Sequence, residues 1–574
     1  MGLLNSALQI GRSALLGYEG ALHVVGNNVT GAGSPDYTRL SPQLDPLHGG
    51  LIAGELQPGA GVALTGIQRN IDEALEGRVR LAIGAQASAL VREGTLAQVE
   101  AFFNDLGGTG IEARLLEFFH TFDELQNTPE DLAIRDLAIT SGANLAESLR
   151  QLRQQLARLS EDINEQIAMI VVNADEIAQK IARLNEEITT AEAQRQGPAH
   201  GLRDQRDALL RELGELFDVT VREQPNGMVN VYVGSEALVQ GSSVRGLIAV
   251  EEVDGESTRI SVRFADTNQQ VDVRGGRLEG LIISRDQHGQ IDALDQLAAA
   301  VIADVNRIHA DGQGLVGYTS VTGSYDVLAT DVPLDSSAAG VPFPPRNGSF
   351  YITVADTATA TPVAYRIDVD LQGSDPGTTL ESLVAGINAQ VEGVTASVTS
   401  DNRLQVTADD GFTFTFGHDG QEAREDTSGV LAALGVNTFF TGTDAGNIAV
   451  NETIVEQPSL LAAASVFLAG DGVNAGRVAA LDSTLSERLG TTSLSGLYKS
   501  IANGVAVQSA AVRDEVEADS TVLASLQAQR ESISGVNLDE EAIALVKYER
   551  AFQGAARFVR TVDDLLAELV TLIR

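Results

Sequence analysis

The stretch from Asp539 to Ile573 carries an apolar heptad pattern that constrains how the whole chain can fold. Asn537 can cap the start of a helix here, and acidic residues at 539–541 favour its first turn. Such a helix is about 50 Å long and has one apolar stripe that must be buried. The stripe has the alternating gaps of three and four typical of coiled-coil a and d positions: Leu545, Tyr548, Phe552, Ala555, Val559, Val562, Leu566, Leu569 and Ile573.

The first helix predicted from the sequence has the same pattern. Gly31, Gly33 and Pro35 then end it, because glycine and proline favour turns over continued helix. Two heptad helices therefore flank the rest of the chain. We expect them to pack on each other or on the same helices of further copies of the protein. The alternative is that they are two ordinary amphipathic helices of a globular core. The N-terminal stripe is Leu4, Leu8, Gly11, Leu15, Tyr18, Leu22, Val25 and Val29.

Charge and composition exclude several function classes. The chain has 39 Lys plus Arg against 79 Asp plus Glu, a formal net charge of −40, so phosphate backbones and anionic membrane surfaces are repelled. We therefore expect neither a nucleic-acid nor a membrane partner. Cysteine is absent, which removes disulfides and thiolate chemistry. The first residues lack the basic and apolar regions of a cleaved signal peptide.

The interior alternates between helical and β periodicity. We expect a helix over 71–103, two short helices over 115–139, and a long helix from Leu145 to Ile188 whose heptad rhythm stutters between Ile163 and Ile167. Period-two alternation predicts strands over 219–273 and 314–444. Helical periodicity predicts helices over 284–309, 379–391 and 497–533.

This order predicts a mainly α protein with β-rich inserted domains. The terminal helices form a coiled coil, a long-helix bundle follows, and antiparallel β domains lie outermost in a nested out-and-back arrangement. The predicted divisions are a terminal assembly domain (1–66 and 534–574), a helical bundle (67–218, 284–313 and 445–533), a small β unit (219–283) and a β-rich domain with one helix (314–444).

No catalytic or metal-binding pattern stands out. The seven His residues are scattered and lack metal-ligand spacing, so each is expected to be a surface or hydrogen-bonded histidine. The segment that begins at Asp368 resembles the start of a calcium loop, but Thr379 stands where that loop needs a glutamate. We predict no enzymatic activity, cofactor or metal.

Two terminal motifs resemble those of the bacterial flagellar axial proteins, the rod, hook and hook-associated proteins. The segment 27–39, with Asn27, Asn28, Pro35, Tyr37 and Arg39, resembles their N-terminal signature, although Thr30, Gly31, Ser34 and Asp36 depart from it. The C-terminal run of Asn537, Leu538, Asp539, Glu540 and Glu541 is similar to the ending of hook-associated members. Residues 118–135 and 434–442 add to the likeness.

The resemblance implies a structural protein without enzymatic activity. Such a protein is exported through the flagellar type III apparatus and forms a ring that joins hook to filament. Its terminal helices pair as a coiled coil, and its β domains face outward. The implied partners are copies of itself, the hook protein, a second hook-associated protein on the filament side, and a cytoplasmic export chaperone on the C-terminal helix.

Two alternatives remain at this point. One is another axial component, a hook or distal rod protein, although the long stuttered helix and the 537–541 run favour a hook-associated protein. The other is a secreted enzyme or adhesin with helical oligomerisation ends and a β head. The residues predicted to form the assembly seam are Leu4, Leu8, Leu15, Leu22, Val25, Val29, Leu545, Tyr548, Phe552, Val559, Val562, Leu566, Leu569 and Ile573.

Overall fold

The computed structural model describes residues 2–34, 36–47, 51–52, 55–56, 59–103, 110–194, 197–254, 257–286, 289–359, 362–372, 377–419, 422–466, 468 and 470–572. Its α-helices are α1 (Gly2–Gly31), α2 (Glu73–Phe103), α3 (Ile111–Asn127), α4 (Leu132–Gln194), α5 (His200–Leu216), α6 (Gly276–Asp286), α7 (Gly289–Ala310), α8 (Leu380–Gln390), α9 (Val430–Ala433), α10 (Glu452–Glu456), α11 (Val473–Ala479), α12 (Leu494–Ser534) and α13 (Leu538–Leu572).

The strands pair antiparallel in small sheets, with neighbour orders β1–β4, β2–β3, β5–β6–β7–β8, β9–β10, β13–β12–β16, β11–β15–β14 and β17–β18. A helical protein with antiparallel β-rich insertions, the class expected from the sequence, is thus confirmed. The strands are β1 (Leu40–Leu47), β2 (Leu51–Ile52), β3 (Glu55–Leu56), β4 (Gly61–Arg69), β5 (Thr220–Glu223), β6 (Val229–Val233), β7 (Glu236–Gln240), β8 (Ser243–Val244), β9 (Leu247–Asp254), β10 (Ser257–Phe264), β11 (Ser320–Thr322), β12 (Gly348–Asp356), β13 (Pro362–Val369), β14 (Val394–Val398), β15 (Leu404–Ala408), β16 (Phe412–Phe416), β17 (Phe440–Thr441) and β18 (Ala449–Val450).

The chain forms two compact units. Unit 1 consists of residues 1–95, 161–285 and 510–574, and unit 2 of residues 96–160 and 286–509. Both chain ends therefore belong to unit 1.

Two asparagines of α4 hold the β-strands of unit 1. Asn185 donates to the carbonyls of Val229 (2.9 Å) and Gly241 (2.7 Å) and accepts from the Val229 amide (3.1 Å). Asn164 does the same for strand β10, donating to Thr258 O (2.7 Å) and accepting from Ile260 N (3.1 Å). Because both side chains are buried and satisfied, each fixes a sheet to one position along the helix.

Aromatic rings form the centre of unit 2. Phe118 lies 5.0 Å from Phe122 and 5.4 Å from Phe439, measured between ring centroids, and Phe440 lies 5.6 Å from Phe118. The segment 434–442 thereby contributes two rings to this core. Asn437 within it has a left-handed backbone (φ 54°) and donates to the carbonyl of Gly312 (2.9 Å).

The helix α4 corrects one expectation. The sequence predicted a separate short helix before Leu145, but α4 runs unbroken from Leu132. Gly142 does not end a helix there; a methyl group at this position would lie 2.5 Å from Phe439 Cε1 and 3.3 Å from Phe118 Cε2. The glycine therefore allows aromatic rings to approach the helix closely.

A second correction concerns residues 271–286. Val271 and Val273 were expected in a strand and Ser284 at the start of a helix. In the structure neither valine lies in a strand, and α6 already begins at Gly276. The left-handed backbone of Gly275 and Gly276 (φ 61° and 68°) makes the turn into α6. By contrast, α2, α8 and α12 lie within three residues of their predicted bounds.

Candidate assembly site

The two terminal helices pack side by side in unit 1 and run antiparallel. The C-terminal end of α1 meets the start of α13 at Asn28 and Glu541. Farther along, a methyl group added at Gly11 would collide with Val559 and lie 3.2 Å from Phe558 Cδ1. The two predicted heptad stripes therefore come together within one chain.

The predicted seam residues differ in burial. Val25 and Val562 are buried, whereas Val29 and Leu545 are 42% and 41% exposed. The side chain of Leu569 and the whole of Ile573 lie outside the described residues. The remaining seam residues are half-buried: Leu4, Leu8, Leu15, Leu22, Tyr548, Phe552, Val559 and Leu566.

A second packing face of α1 was not foreseen. It contacts the β1–β4 hairpin, and a methyl group at Gly20 would lie 2.6 Å from Leu64 Cδ2. At Gly17 such a group would lie 3.4 Å from Val62 O, so the missing side chains let the hairpin approach. Ala21, which is fully buried, extends this small-residue face. The spacing of Gly17, Gly20 and Ala21, which places three small residues on one side of α1, could have predicted this second packing face.

The two terminal motifs bind each other where α1 ends and α13 begins. Glu541 accepts hydrogen bonds from Arg39 Nε (2.8 Å) and Asn28 Nδ2 (3.0 Å). Arg39 also binds Glu540 through Nη1 (2.7 Å). Tyr37 donates its hydroxyl to Asn28 Oδ1 (3.0 Å). We call these five residues (Asn28, Tyr37, Arg39, Glu540 and Glu541) the terminal latch.

Burial makes this latch strong at its centre. Asn28 is 1% exposed and the Glu541 side chain 2%, whereas Glu540 is 56% exposed. Burial, reinforced by Asp204 and Glu541, raises the pKa of Tyr37 to about 12, so its hydroxyl remains a donor at neutral pH. Charge-assisted hydrogen bonds of this kind are roughly twice as strong as neutral ones.

The backbone around the latch is also fixed. The amide of Arg39 donates to Ser534 O (2.9 Å) at the end of α12, and Asn28 both donates to Leu40 O (2.8 Å) and accepts from Leu40 N (3.0 Å). Asn537 accepts from the Asp539 amide (3.0 Å) and so caps α13, the role its position predicts. The latch therefore joins α1, β1, α12 and α13.

Other motif residues lie outside the latch. Asn27 is exposed, Leu538 is 55% exposed and Asp539 is exposed in the first turn of α13. Pro35 lies outside the described residues. Asn27, Leu538 and Asp539 make no comparable bond between the chain ends in the part of the chain that the structure describes.

An ionic network connects the N-terminal motif to the helices of unit 1. Arg211 binds Asp36 (2.7 Å) and Glu76 (3.4 Å), and Arg530 also binds Glu76 (2.6 Å). Glu76 is 3% exposed and lies between the two guanidinium groups. Buried carboxylates need such partners, so Glu76 ties α2 to α5 and α12.

The described histidines and carboxylates show no metal-binding arrangement: no group of three or more such residues is placed to hold an ion. In unit 2, His309 is fully buried; its Nδ1 donates to Asn437 O (2.8 Å) and its Nε2 accepts from Ala462 N (3.0 Å). Burial lowers its pKa to about 4. Its role is structural. None of the described helices is long and apolar enough to cross a membrane.

Comparison with known proteins shows that the chain is similar to flagellar proteins. Three family models match: the flagellar hook-associated protein FlgK helical domain over residues 96–323, the flagellin hook IN motif over 349–410, and the flagellar basal body rod FlgEFG protein C-terminal model over 527–572. Flagellar hook-associated protein 1 of Escherichia coli is 26% identical over 583 residues, covering 99% of each chain. The chain is similar to flagellar hook-associated protein 1 over nearly the full length of both chains.

Relatives in two further bacteria show the same likeness. Hook-associated protein 1 of Salmonella typhimurium is 25% identical over 99% of this chain and 100% of its own length. That of Bacillus subtilis is 23% identical over 98% and 97%. The solved flagellar hook junction protein FlgK from Burkholderia pseudomallei shares the fold, with a TM-score of 0.53 and 16% identity over 80% of this chain and 100% of that chain.

The matches bear on the resemblance to hook-associated members that the sequence showed. The C-terminal match at 527–572 includes α13 and its latch residues Glu540 and Glu541. The helical-domain match includes residues 118–135, one of the internal stretches that suggested the resemblance. The family prediction is therefore confirmed.

Proposed function

We propose that this chain is a structural junction protein of the bacterial flagellum, exported to the hook–filament junction, where copies form a ring that connects hook to filament. The observation that carries the proposal is the terminal latch. Residues about 500 positions apart converge on Glu541 and hold the two chain ends as one paired unit. Full-length similarity to hook-associated protein 1 relatives supports this function over an enzyme, an adhesin, or a hook or rod protein.

The paired terminal helices supply an apolar surface for assembly. Ile543 is 70% exposed, Leu565 50%, Val546 46% and Phe558 42%, all on α13. Exposed apolar residues concentrated on one element mark an interaction surface. On this proposal α1 and α13 join those of neighbouring copies as a coiled coil, and the partly exposed seam residue Leu545 becomes buried.

The remaining arrangement follows from the same proposal. The terminal assembly domain comprises 1–66 and 534–574, the bundle 67–218, 284–313 and 445–533, and the β regions 219–283 and 314–444 lie outward in a nested order. Its neighbours in the flagellum are copies of itself, the hook protein and a second hook-associated protein. An export chaperone covers the C-terminal helix before assembly.

Removal of residues 540–574 tests the function. We expect cells carrying this shortened chain to export it but to release filament subunits into the medium instead of building filaments. The deletion removes the carboxylates of the latch and nearly all of α13.

Unit 2 provides the folding control, because it contains none of the deleted residues. Its thermal unfolding transition should be unchanged in the shortened chain. Normal filaments on cells that carry only the shortened chain would refute the proposal.

A further inference from the structure

The two connections between the β-rich region of unit 2 (β11–β16) and its helices meet each other. The chain enters this region after α7, at Asp311, and leaves it before α9, at Asp426. The Asp311 carboxylate accepts a hydrogen bond from the Asp426 amide (2.6 Å), which bonds the incoming segment to the outgoing one. Arg477 of α11 and Glu425 complete this group. We call these four residues (Asp311, Glu425, Asp426 and Arg477) the neck.

Water has little access to the neck. Asp311 and Asp426 are 6% and 7% exposed. Gly417, which follows β16, has a left-handed backbone (φ 78°), and a methyl group there would collide with the carbonyl oxygen of Asp311. The Arg424 amide donates to Gly417 O (2.7 Å), so the outgoing segment covers the end of α7. A carboxylate buried in this way depends on protein groups for its stabilisation.

One guanidinium group serves the neck, and Asp311 binds it weakly. Arg477 Nη2 lies 3.4 Å from Asp311 Oδ2 and 3.0 Å from Glu425 Oε1. Charge-assisted bonds of this kind are typically about 2.7–2.9 Å long, so Arg477 binds Glu425 better than Asp311. Within the described ranges, Arg477 is the only cation at ion-pair distance from Asp311. The charge of an ionised Asp311 is therefore only partly neutralised.

Hydrogen bonds distinguish the two buried carboxyl groups. Asp426 accepts from the amides of Ser428 (2.9 Å), Gly429 (2.8 Å) and Leu431 (3.0 Å) and from the Ser428 hydroxyl (2.5 Å). Asp311 accepts from one amide and from the shared guanidinium. Burial raises the pKa of both groups, that of Asp311 to about 7. Because donors favour the ionised form, Asp426 carries the charge and Asp311 the proton.

We propose that the neck is a proton-linked hinge: Asp311 is protonated while the Asp426 segment is docked on α7 and α11, and its ionisation loosens that segment. An ionised Asp311 faces the charges of Asp426 and Glu425, with Arg477 shared among them. The folded chain keeps the Asp311 proton up to about pH 7, whereas an exposed aspartate loses it at about pH 4. Between these values the folded chain binds more protons, so the stability of the neck falls as pH rises. All four residues lie in unit 2, and the inference does not rest on the junction function.

Other titrating groups lie close to the neck. His309, two residues before Asp311, is buried, and burial lowers its pKa to about 4. Burial also lowers the pKa of His418. Both histidines destabilise the folded state as pH falls, which is the opposite direction to Asp311. The Arg424 guanidinium binds two neighbouring acids, Asp419 and Glu422. A comparison between wild type and a variant at each pH cancels the contributions of these groups.

Amide hydrogen exchange of the full chain tests the hinge with the variant Asp311→Asn. Asparagine keeps an acceptor oxygen for the Asp426 amide but has no proton to lose. Exchange rates in peptides from 422–431 and 473–479 are divided by the intrinsic rate at each pH, which gives the opening equilibrium of the neck. The ratio of wild-type opening to Asp311→Asn opening should rise about 50-fold between about pH 5 and about pH 7.

Two further variants sharpen the test. Asp331→Asn changes an exposed aspartate of the same unit and should keep the wild-type pH dependence. Glu425→Gln removes the acid that competes for Arg477; the Glu425 side chain is 65% exposed, so the fold should tolerate the change. The freed guanidinium should stabilise the ionised Asp311, lower its pKa and reduce the change in opening to well below 50-fold.

Two results would overturn the inference. One is a ratio of wild-type to Asp311→Asn opening that stays constant between the two pH values. The other is a pH dependence of Glu425→Gln equal to that of the wild type, which decides the question even if circular dichroism shows that Asp311→Asn does not fold.

Discussion

Two adjacent glutamates of the latch, one buried and one exposed, provide a matched test of how much burial of a carboxylate contributes to stability. Both carboxylates bind Arg39, but the Glu541 side chain is 2% exposed and that of Glu540 is 56% exposed. Glu541→Gln and Glu540→Gln remove the same charge from neighbouring positions of one helical turn. Any difference between them therefore reports on burial and on the contact of Glu541 with Asn28.

The expected cost follows from the bonds. Glu541 accepts from both Arg39 and Asn28, and each buried hydrogen bond to a charged group contributes about 1.5–3 kcal/mol. Glutamine keeps one acceptor oxygen but turns a donor toward one of the two partners, so we expect a loss of about 2 kcal/mol. Glu540→Gln should cost about 1 kcal/mol or less, as exposed pairs do.

Amide hydrogen exchange, followed by mass spectrometry, measures the loss of stability in each segment of the chain. It is preferable to a single unfolding curve because a chain of two units need not unfold in one step. A loss of about 2 kcal/mol speeds exchange about 30-fold in peptides from α1 and α13. Glu540→Gln should speed exchange in the same peptides about fivefold or less.

Peptides of unit 2 serve as the internal reference and should not change. Equal increases in exchange rate for the two substitutions would refute the reasoning that the buried carboxylate of Glu541 contributes most of the stability of the latch.

Three further predictions concern other parts of the chain. Leu566→Asp places a charge in the half-buried seam and should leave a folded monomer that fails to assemble; normal assembly in a sedimentation assay would show that the seam is misassigned. Gly142→Ala should destabilise unit 2 by about 1–3 kcal/mol in thermal unfolding, because the methyl group meets the ring of Phe439. A methyl group at Gly386 in α8 would lie 3.8 Å from its nearest neighbour, Gln390 Nε2, so Gly386→Ala should stabilise the unit by about 0.5–1 kcal/mol. The unfolded state protonates its histidine below about pH 6.5, whereas buried His309 stays neutral down to about pH 4, so His309 should contribute a loss of about 3 kcal/mol to the stability of unit 2 as pH falls through this window. The pH dependence of His309→Gln should differ from that of the wild type by this amount.

Local periodicity and caps predicted much of the fold. Helix α8 lies at its expected place because Thr379 caps it, accepting from Ser382 N (3.0 Å), and because period-two strands flank it. The buried stripe of α4 likewise follows its 4-3 rhythm, including Ile163 and Ile167 on either side of the stutter. Such signals lie within a few residues of the element they specify, so a single sequence reveals them.

Long-range packing could not be predicted in the same way. The sequence predicted a helix boundary before Leu145, but Gly142 lies inside α4, and the ring that needs its space, Phe439, is about 300 residues away in the chain. The glycine face of α1 was overlooked because the heptad pattern accounts for one stripe only. Both terminal motifs were identified from the sequence, yet nothing in either motif indicated that Arg39 and Glu541 bind each other.

The latch resolves an ambiguity that the apolar seam leaves open. A heptad stripe repeats every seven residues, so α13 can slide along α1 by about 10 Å and still present an apolar stripe. Such a slip would bring Tyr548 to the place of Glu541, and tyrosine has no carboxylate for Arg39 and Asn28. A buried polar contact within an apolar seam fixes the register in this way. The seam therefore provides the area for packing and the latch selects one alignment, which explains why the polar motifs lie at the junction of the two helices and not along them.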